Sequence, residues 1–189
     1  YVIHNEYVPG NTTALITNEG VILVDDKFEI DADNIVALLK TVTNQPIKYV
    51  INTHFHGDHS GGNAKLQAGG TLAVASTQAR SRMVAANRSG QPDITVEPRG
   101  SIQLGGKSAE IYWFGRAHTD GDVVVLFPQN RALAAGDMFA DVVLRRELGD
   151  ALFVPESAVL KPGDRQLVFL DLGLVGQLTV VAFATMGVE

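Results

Sequence analysis

An apolar run, Ile47 to Asn52, feeds directly into Thr53-His54-Phe55-His56-Gly57-Asp58-His59, and no other stretch narrows the possible folds as much. The run reads as a strand. His54 and His56 are two residues apart, so in extended chain both imidazoles point to one side. Asp58 and His59 fall where the chain turns into a helix, which aims a carboxylate and a third imidazole at neighbouring space. Gly57, Gly61 and Gly62 permit tight backbone geometry around that turn. Four ligand-type side chains in six positions exceed what one tetrahedral ion takes, which points to two adjacent ions. The plain alternative is a polar surface loop with chance histidines. Ligand type, spacing and strand-end placement agree against it.

The flanking sequence supplies a layered scaffold for such a strand. Val2 to Ile3, Thr13 to Thr17 and Val21 to Val24 are short and β-rich, with Asn18-Glu19-Gly20 as a hairpin turn. Asp31 reads as the N-cap of a helix whose buried stripe is Ile35, Leu38, Leu39 and Val42, ended by Gln45-Pro46. A short helix near Asn63 to Gln67, a strand at Thr71 to Ala75 and a Ser76-capped helix running towards Asn87 follow. Ser101 to Leu104 and Ser108 to Phe114 form a hairpin around Gly105-Gly106; Val123 to Phe127 and Ala132 to Ala135 form another around Pro128-Gln129-Asn130. Alternating strands and helices of this kind indicate an α/β layered domain.

Further ligand-type residues stand at later strand ends. His118, in Gly115-Arg116-Ala117-His118-Thr119-Asp120-Gly121-Asp122, follows the Ser108 to Phe114 strand and could complete a three-histidine site with His54 and His56. Asp137, after Ala135-Gly136, is a carboxylate able either to bridge two ions or to cap the following segment. Ser101 to Ser108 nearly spells a phosphate-binding loop, but its first required glycine is Ser101 and a strand follows, so the hairpin reading prevails. No G-x-S-x-G serine-hydrolase elbow occurs. Trp113 and Phe114 read as core residues, with Trp113 the candidate to border a pocket.

Composition removes several function classes. The chain has no cysteine, which excludes disulfides, thiolate metal sites and a cysteine nucleophile. A net charge of −6 argues against a nucleic-acid surface. No apolar run approaches the ~20 residues that span a bilayer. The sequence starts at Tyr1 without a Met or a basic-then-apolar leader, so any targeting peptide is expected to be removed or never present. Cytoplasm and periplasm both stay open.

The order Asp25, His54-x-His56-x-Asp58-His59, His118 and Gly136-Asp137 resembles the metallo-β-lactamase superfamily from about Val2 to Phe139. The resemblance implies an αββα sandwich with metals at the edges of the two sheets. It implies His54, His56 and His118 on a first metal, Asp58 and His59 on a second, Asp137 bridging, and Asp25 as a structural carboxylate. Zinc, as one or two ions, is the expected cofactor, with manganese and iron as alternatives. Hydrolysis by metal-bound hydroxide follows, on an ester, lactam or phosphoester of a small molecule, with Asp58 as the catalytic carboxylate that orients it. A promiscuous phosphoesterase or esterase is the favoured reading; a non-catalytic metal-binding or adaptor-like protein is the alternative. Family members usually supply one more histidine from a later unit, whereas this chain has none after His118 and only His4 uncommitted. The second metal is therefore expected to be weakly held, water-completed or ligated from another subunit.

From about Ala151 the texture becomes short strands and turns: Leu152 to Pro155, Ala158 to Leu160, Leu167 to Asp171 and Leu178 to Ala184. This stretch resembles a β-rich segment of periplasmic adaptor (membrane-fusion) proteins from metal-efflux systems; a divergent C-terminal half is the plainer alternative. The expected organisation is a metal-binding core at residues 1–140 and a β-rich tail at 141–189, a fusion in which the second half of the sandwich is cut short. Exposed edges in such a sandwich lead to the expectation of a homodimer or higher homo-oligomer.

Overall fold

The computed structural model describes residues 1–3 and 10–138, with the strand backbones at 159–160, 166–170 and 180–184. Its first sheet has six strands in the order β1-β2-β3-β4-β5-β6: Val2–Ile3, Thr12–Ile16, Val21–Val24, Ile47–Ile51, Leu72–Ser76 and Ile94–Val96. Pairing is antiparallel from β1 to β3 and parallel from β3 to β6. A second, antiparallel sheet runs β10-β9-β8-β7, from Ala132–Ala134, Val123–Phe127, Lys107–Trp113 and Arg99–Leu104.

Strand β3 shows why these layers form. All four residues, Val21 to Val24, are buried, as expected of a strand covered on both faces. The period-two alternation sends Ile22 and Val24 towards the second sheet, where they meet Ile51, Val74, Ile111, Val123, Val125 and Phe127. Val21 and Leu23 face the opposite way, against Ile35 and Leu39 of helix α1 (Ala32–Lys40) and Leu66 of α3 (Asn63–Ala68). The described residues thus form a helix–sheet–sheet stack of mixed α/β type.

Several expectations are refined. In α1 the buried face is Ala32, Ile35 and Leu39, while Leu38 and Val42 are exposed. Asp31 occupies the N-cap position of α1 without a capping hydrogen bond, because a 3-10 turn at Glu29–Asp31 leads into the helix. Ser76 does cap helix α4 (Thr77–Ala85), its Oγ accepting from Ala79 N at 3.1 Å. Strand β6 had no sequence signal strong enough to be expected. Gly105 and Gly106 both take positive φ, 53° and 75°, in the β7–β8 turn, which settles the near-match to a phosphate loop as a hairpin. Val159–Leu160, Gln166–Leu170 and Val180–Ala184 form an antiparallel three-stranded sheet, β11 to β13. His4, the Leu152 to Pro155 strand and residues 141–158 lie outside the described residues.

Candidate metal centre

The parallel strands β3, β4 and β5 end at one rim of the first sheet, where open α/β sheets place their ligand sites. Asp25 leaves β3, Thr53 to His59 leave β4, and the loops after β8 and β10 bring His118 and Asp137 to the same rim. The backbone N–H of Val123, at the start of β9, donates to Thr53 O at 2.8 Å and ties the two sheets together there. Gly136, at φ 58°, lets the Asp137 turn pass so close that an added Cβ would lie 2.3 Å from Thr53 Oγ1. Gly61 and Gly62 allow the short helix α2 (Gly57–Ser60) to rest on the loop after β3: their N–H groups donate to Lys27 O at 2.8 and 3.2 Å. A Cβ on Gly62 would meet Asp26 O at 2.8 Å.

Two ligand-type groups result. His54, His56 and His118 converge, with His56 Nδ1 3.1 Å from His54 Nε2 and 3.2 Å from His118 Nε2. His54, His59 and Asp137 form the second group. Asp137 Oδ1 lies 3.2 Å from His59 Nε2 and Oδ2 lies 3.8 Å from His118 Nε2, so its carboxylate faces both groups. Asp58 Oδ2 is 3.6 Å from His59 Nε2.

The hydrogen bonds fix the tautomers. Thr53 Oγ1 donates to Asp25 Oδ2 at 2.8 Å, so towards His54 Nδ1, 3.2 Å away, it can only accept. His54 therefore carries its proton on Nδ1 and presents the Nε2 lone pair to the site. Asp25 also accepts from Thr53 N at 2.7 Å and from His59 Nδ1 at 2.7 Å, which turns His59 Nε2 towards Asp58 and Asp137. Burial, with charged His59 beside it, pushes His54 down to about 4. Burial would lower His59 too, but Asp25 and Asp137 outweigh it and hold it at about 10. Asp26, deeper in the rim, is pushed up by burial despite accepting from Gly62 N.

These residues fit a metal. Tetrahedral zinc–imidazole bonds of ~2.0–2.1 Å place donor nitrogens about 3.4 Å apart, close to the spacing of the three histidines. Hydrogen bonding alone cannot account for that spacing, because His56 Nδ1 faces two ring nitrogens and can bond well to only one. His59 Nε2 is buried and turned towards two carboxylates, Asp137 Oδ1 at 3.2 Å and Asp58 Oδ2 at 3.6 Å, a set of donors that a cation can share. All six expected ligand residues, His54, His56, Asp58, His59, His118 and Asp137, thus stand at one rim, with Asp25 behind them.

Sequence reasoning missed the supports and the groove. Asn52 Nδ2 donates to His59 O at 3.0 Å, and Asn63 Nδ2 holds Asn52 Oδ1 at 2.8 Å. Asn52 stands next to the motif and could have been singled out; Asn63 carried no signal. Beside His56 and His118 opens a groove of about 650 Å3, walled by Arg82, Arg88, Arg116 and Asp120.

The profile of the Metallo-beta-lactamase superfamily matches residues 6–173, and the chain belongs to that superfamily. It is 28% identical to the metallo-beta-lactamase type 2 of Bacillus cereus over 132 residues, which are 69% of this chain and 51% of that protein. The metallo-beta-lactamase type 2 of Elizabethkingia meningoseptica is 28% identical over 177 residues, covering 90% of this chain and 58% of its own. A solved metallo-beta-lactamase from Pontibacter korlensis superposes with a TM-score of 0.62 at 29% identity, covering 70% of this chain and 63% of its own. The chain therefore spans about half the length of the curated relatives it matches.

Proposed function

We propose that the chain is a metal-dependent hydrolase that carries zinc at this rim and cleaves ester, lactam or phosphoester bonds, with activated esters and phosphoesters accepted broadly. The observation that carries this reading is the convergence of His54, His56 and His118 beside a carboxylate, Asp137, that also faces His59. His54, His56 and His118 would hold one ion; Asp58 and His59 would hold a second, with Asp137 between them. Imidazole and carboxylate donors without thiolate suit zinc, with manganese and iron as weaker matches. Bound zinc supplies Lewis acidity and brings the pKa of a coordinated water near ~7.

The remaining work falls to the side chains. The buried hydrogen bonds that Asp25 accepts hold His59 and Thr53 in place, and Thr53 in turn orients His54, so the metal-binding groups are preorganised. Asp58, with a side chain 22% exposed at the mouth of the site, is placed to take up a proton at Oδ2 and return it to a leaving group. The groove beside His56 and His118 is open, which suits substrates of varied shape.

The test is substitution of single ligands. His56→Ala and His118→Ala should each abolish turnover of a 4-nitrophenyl ester and loosen bound zinc, and His59→Ala should reduce turnover less. Parental activity in either of the first two variants would overturn the assignment.

A further inference from the structure

The groove beside the metal centre is charged in a way that the ligands do not explain. Three guanidinium groups, Arg82, Arg88 and Arg116, line it against one carboxylate, Asp120. Asp120 is already engaged, since Arg82 Nε donates to its Oδ2 at 2.9 Å and Arg82 Nη2 pairs with the same oxygen. Arg88 is a brace: it donates to the carbonyl of Phe55 and lies 3.4 Å from Ser60 Oγ, so it steadies the histidine motif through neutral acceptors. Among the described residues the Arg116 guanidinium makes no hydrogen bond and no salt bridge, and the nearby acid that it senses is the one held by Arg82. An excess of positive charge in one groove of a chain with net charge −6 is a local arrangement that bulk composition does not supply.

Arg116 also has a firm base. It lies two residues before His118, on a loop closed by Ala117 N donating to Thr119 O at 2.8 Å and Gly121 N donating to Thr119 Oγ1 at 3.0 Å. Trp113 Nε1 donates to Asp120 O at 3.0 Å, and Ser76 Oγ donates to Gly121 O at 2.6 Å. An exposed planar fork of donors, carried on a braced loop beside His118 and pairing with no acid among the described residues, matches a carboxylate.

We infer that Arg116 is a specificity residue: it binds a carboxylate that the substrate carries apart from the bond to be cleaved, on the side of the groove formed by α4 and the His118 loop. The inference deepens the hydrolase reading by giving its substrates an acidic group, and it can be tested without turnover. Trp113 is the only tryptophan in the chain and is bonded to the Asp120 backbone at the groove wall, so its emission reports occupancy there.

The metal-loaded protein is titrated with glutarate and, as the neutral counterpart, glutaramide, followed by Trp113 emission and by calorimetry. Glutarate should bind saturably and more tightly than glutaramide, and Arg116→Ala should weaken it about fivefold, the upper end for one exposed charge pair. Arg116→Lys should recover part of that loss, and removing a remote charge at the end of α1 by Lys40→Ala should change nothing. In parallel, the ratio of kcat/KM for the 4-nitrophenyl monoester of glutaric acid to that for 4-nitrophenyl butyrate should fall about fivefold in Arg116→Ala. Glutarate affinity and ester ratio both unchanged by Arg116→Ala would overturn the inference, because the carboxylate would then be held by the metal centre. Arg116-dependent glutarate binding without turnover of any ester would uphold the inference while removing the hydrolase reading.

Discussion

Asp25 concentrates three buried hydrogen bonds on one carboxylate: from Thr53 N, from Thr53 Oγ1 and from His59 Nδ1. It does so at φ 61°, a left-handed conformation that asparagine also tolerates, so Asp25→Asn removes charge with little change of backbone. With the carboxylate gone, the His59 ring loses the charged partner that orients it, and zinc affinity should fall about 10–100-fold, as for other outer partners of metal-ligating histidines. Competition with a chromophoric chelator measures this; parental affinity in Asp25→Asn would show that His59 is oriented by something else. At this scale much was legible beforehand. His54 to His59 announce themselves because ligand chemistry is packed into one short stretch, and His118 and Asp137 because each follows a strand; Asp25 stood out only through the family resemblance. Asn63 and the groove arginines were not legible, since their roles come from contacts across the fold: Asn63 Nδ2 reaches Gly90 O, and Arg88 reaches Phe55.

Helix α4 does more than cover the end of β5. Its cap residue Ser76 accepts from Ala79 N and donates to Gly121 O, joining the helix start to the loop that carries His118. Gly121 lies so close to α4 that a Cβ would come within 2.7 Å of Ala79 N. Ser76→Ala should therefore destabilise the protein by about 2 kcal/mol, combining a lost cap with a buried carbonyl left without its donor. Urea unfolding followed by Trp113 emission would read the change, and a shift below ~0.5 kcal/mol would mean that water or a neighbour replaces the hydroxyl. Elements with a clear apolar run or turn signal, such as β3 and the β7–β8 hairpin, were legible in the sequence. The outer part of the α1 stripe was not: α1 ends at Lys40, and Leu38 and Val42 stay at the surface. Strand β6 has only three residues, none of them fully buried, and carries too little pattern to stand out.

Across the whole molecule, a core of apolar strands lifts a set of polar, costly residues to one rim. Burying His54, His59, Asp25 and Asp26 together is expensive: burial pushes His54 down, while Asp25 and Asp137 hold His59 up against it. Cations between these groups would relieve it, which is why the metal reading and the packing agree. The apolar strands that build both core clusters are visible in the sequence, the strand order of the sheets is not, and the adaptor-like tail and the clipped second half that led to an expected homo-oligomer depend largely on stretches outside the described residues. The central claim is that this rim is a binuclear hydrolytic centre, and the most direct measurement is elemental analysis of the purified chain together with ester turnover during chelation and zinc return. Two ions per chain, with turnover lost on chelation and regained with zinc, is the expected result. One ion or none, with no turnover of ester, lactam or phosphoester, would contradict it and leave a metal-binding module in its place.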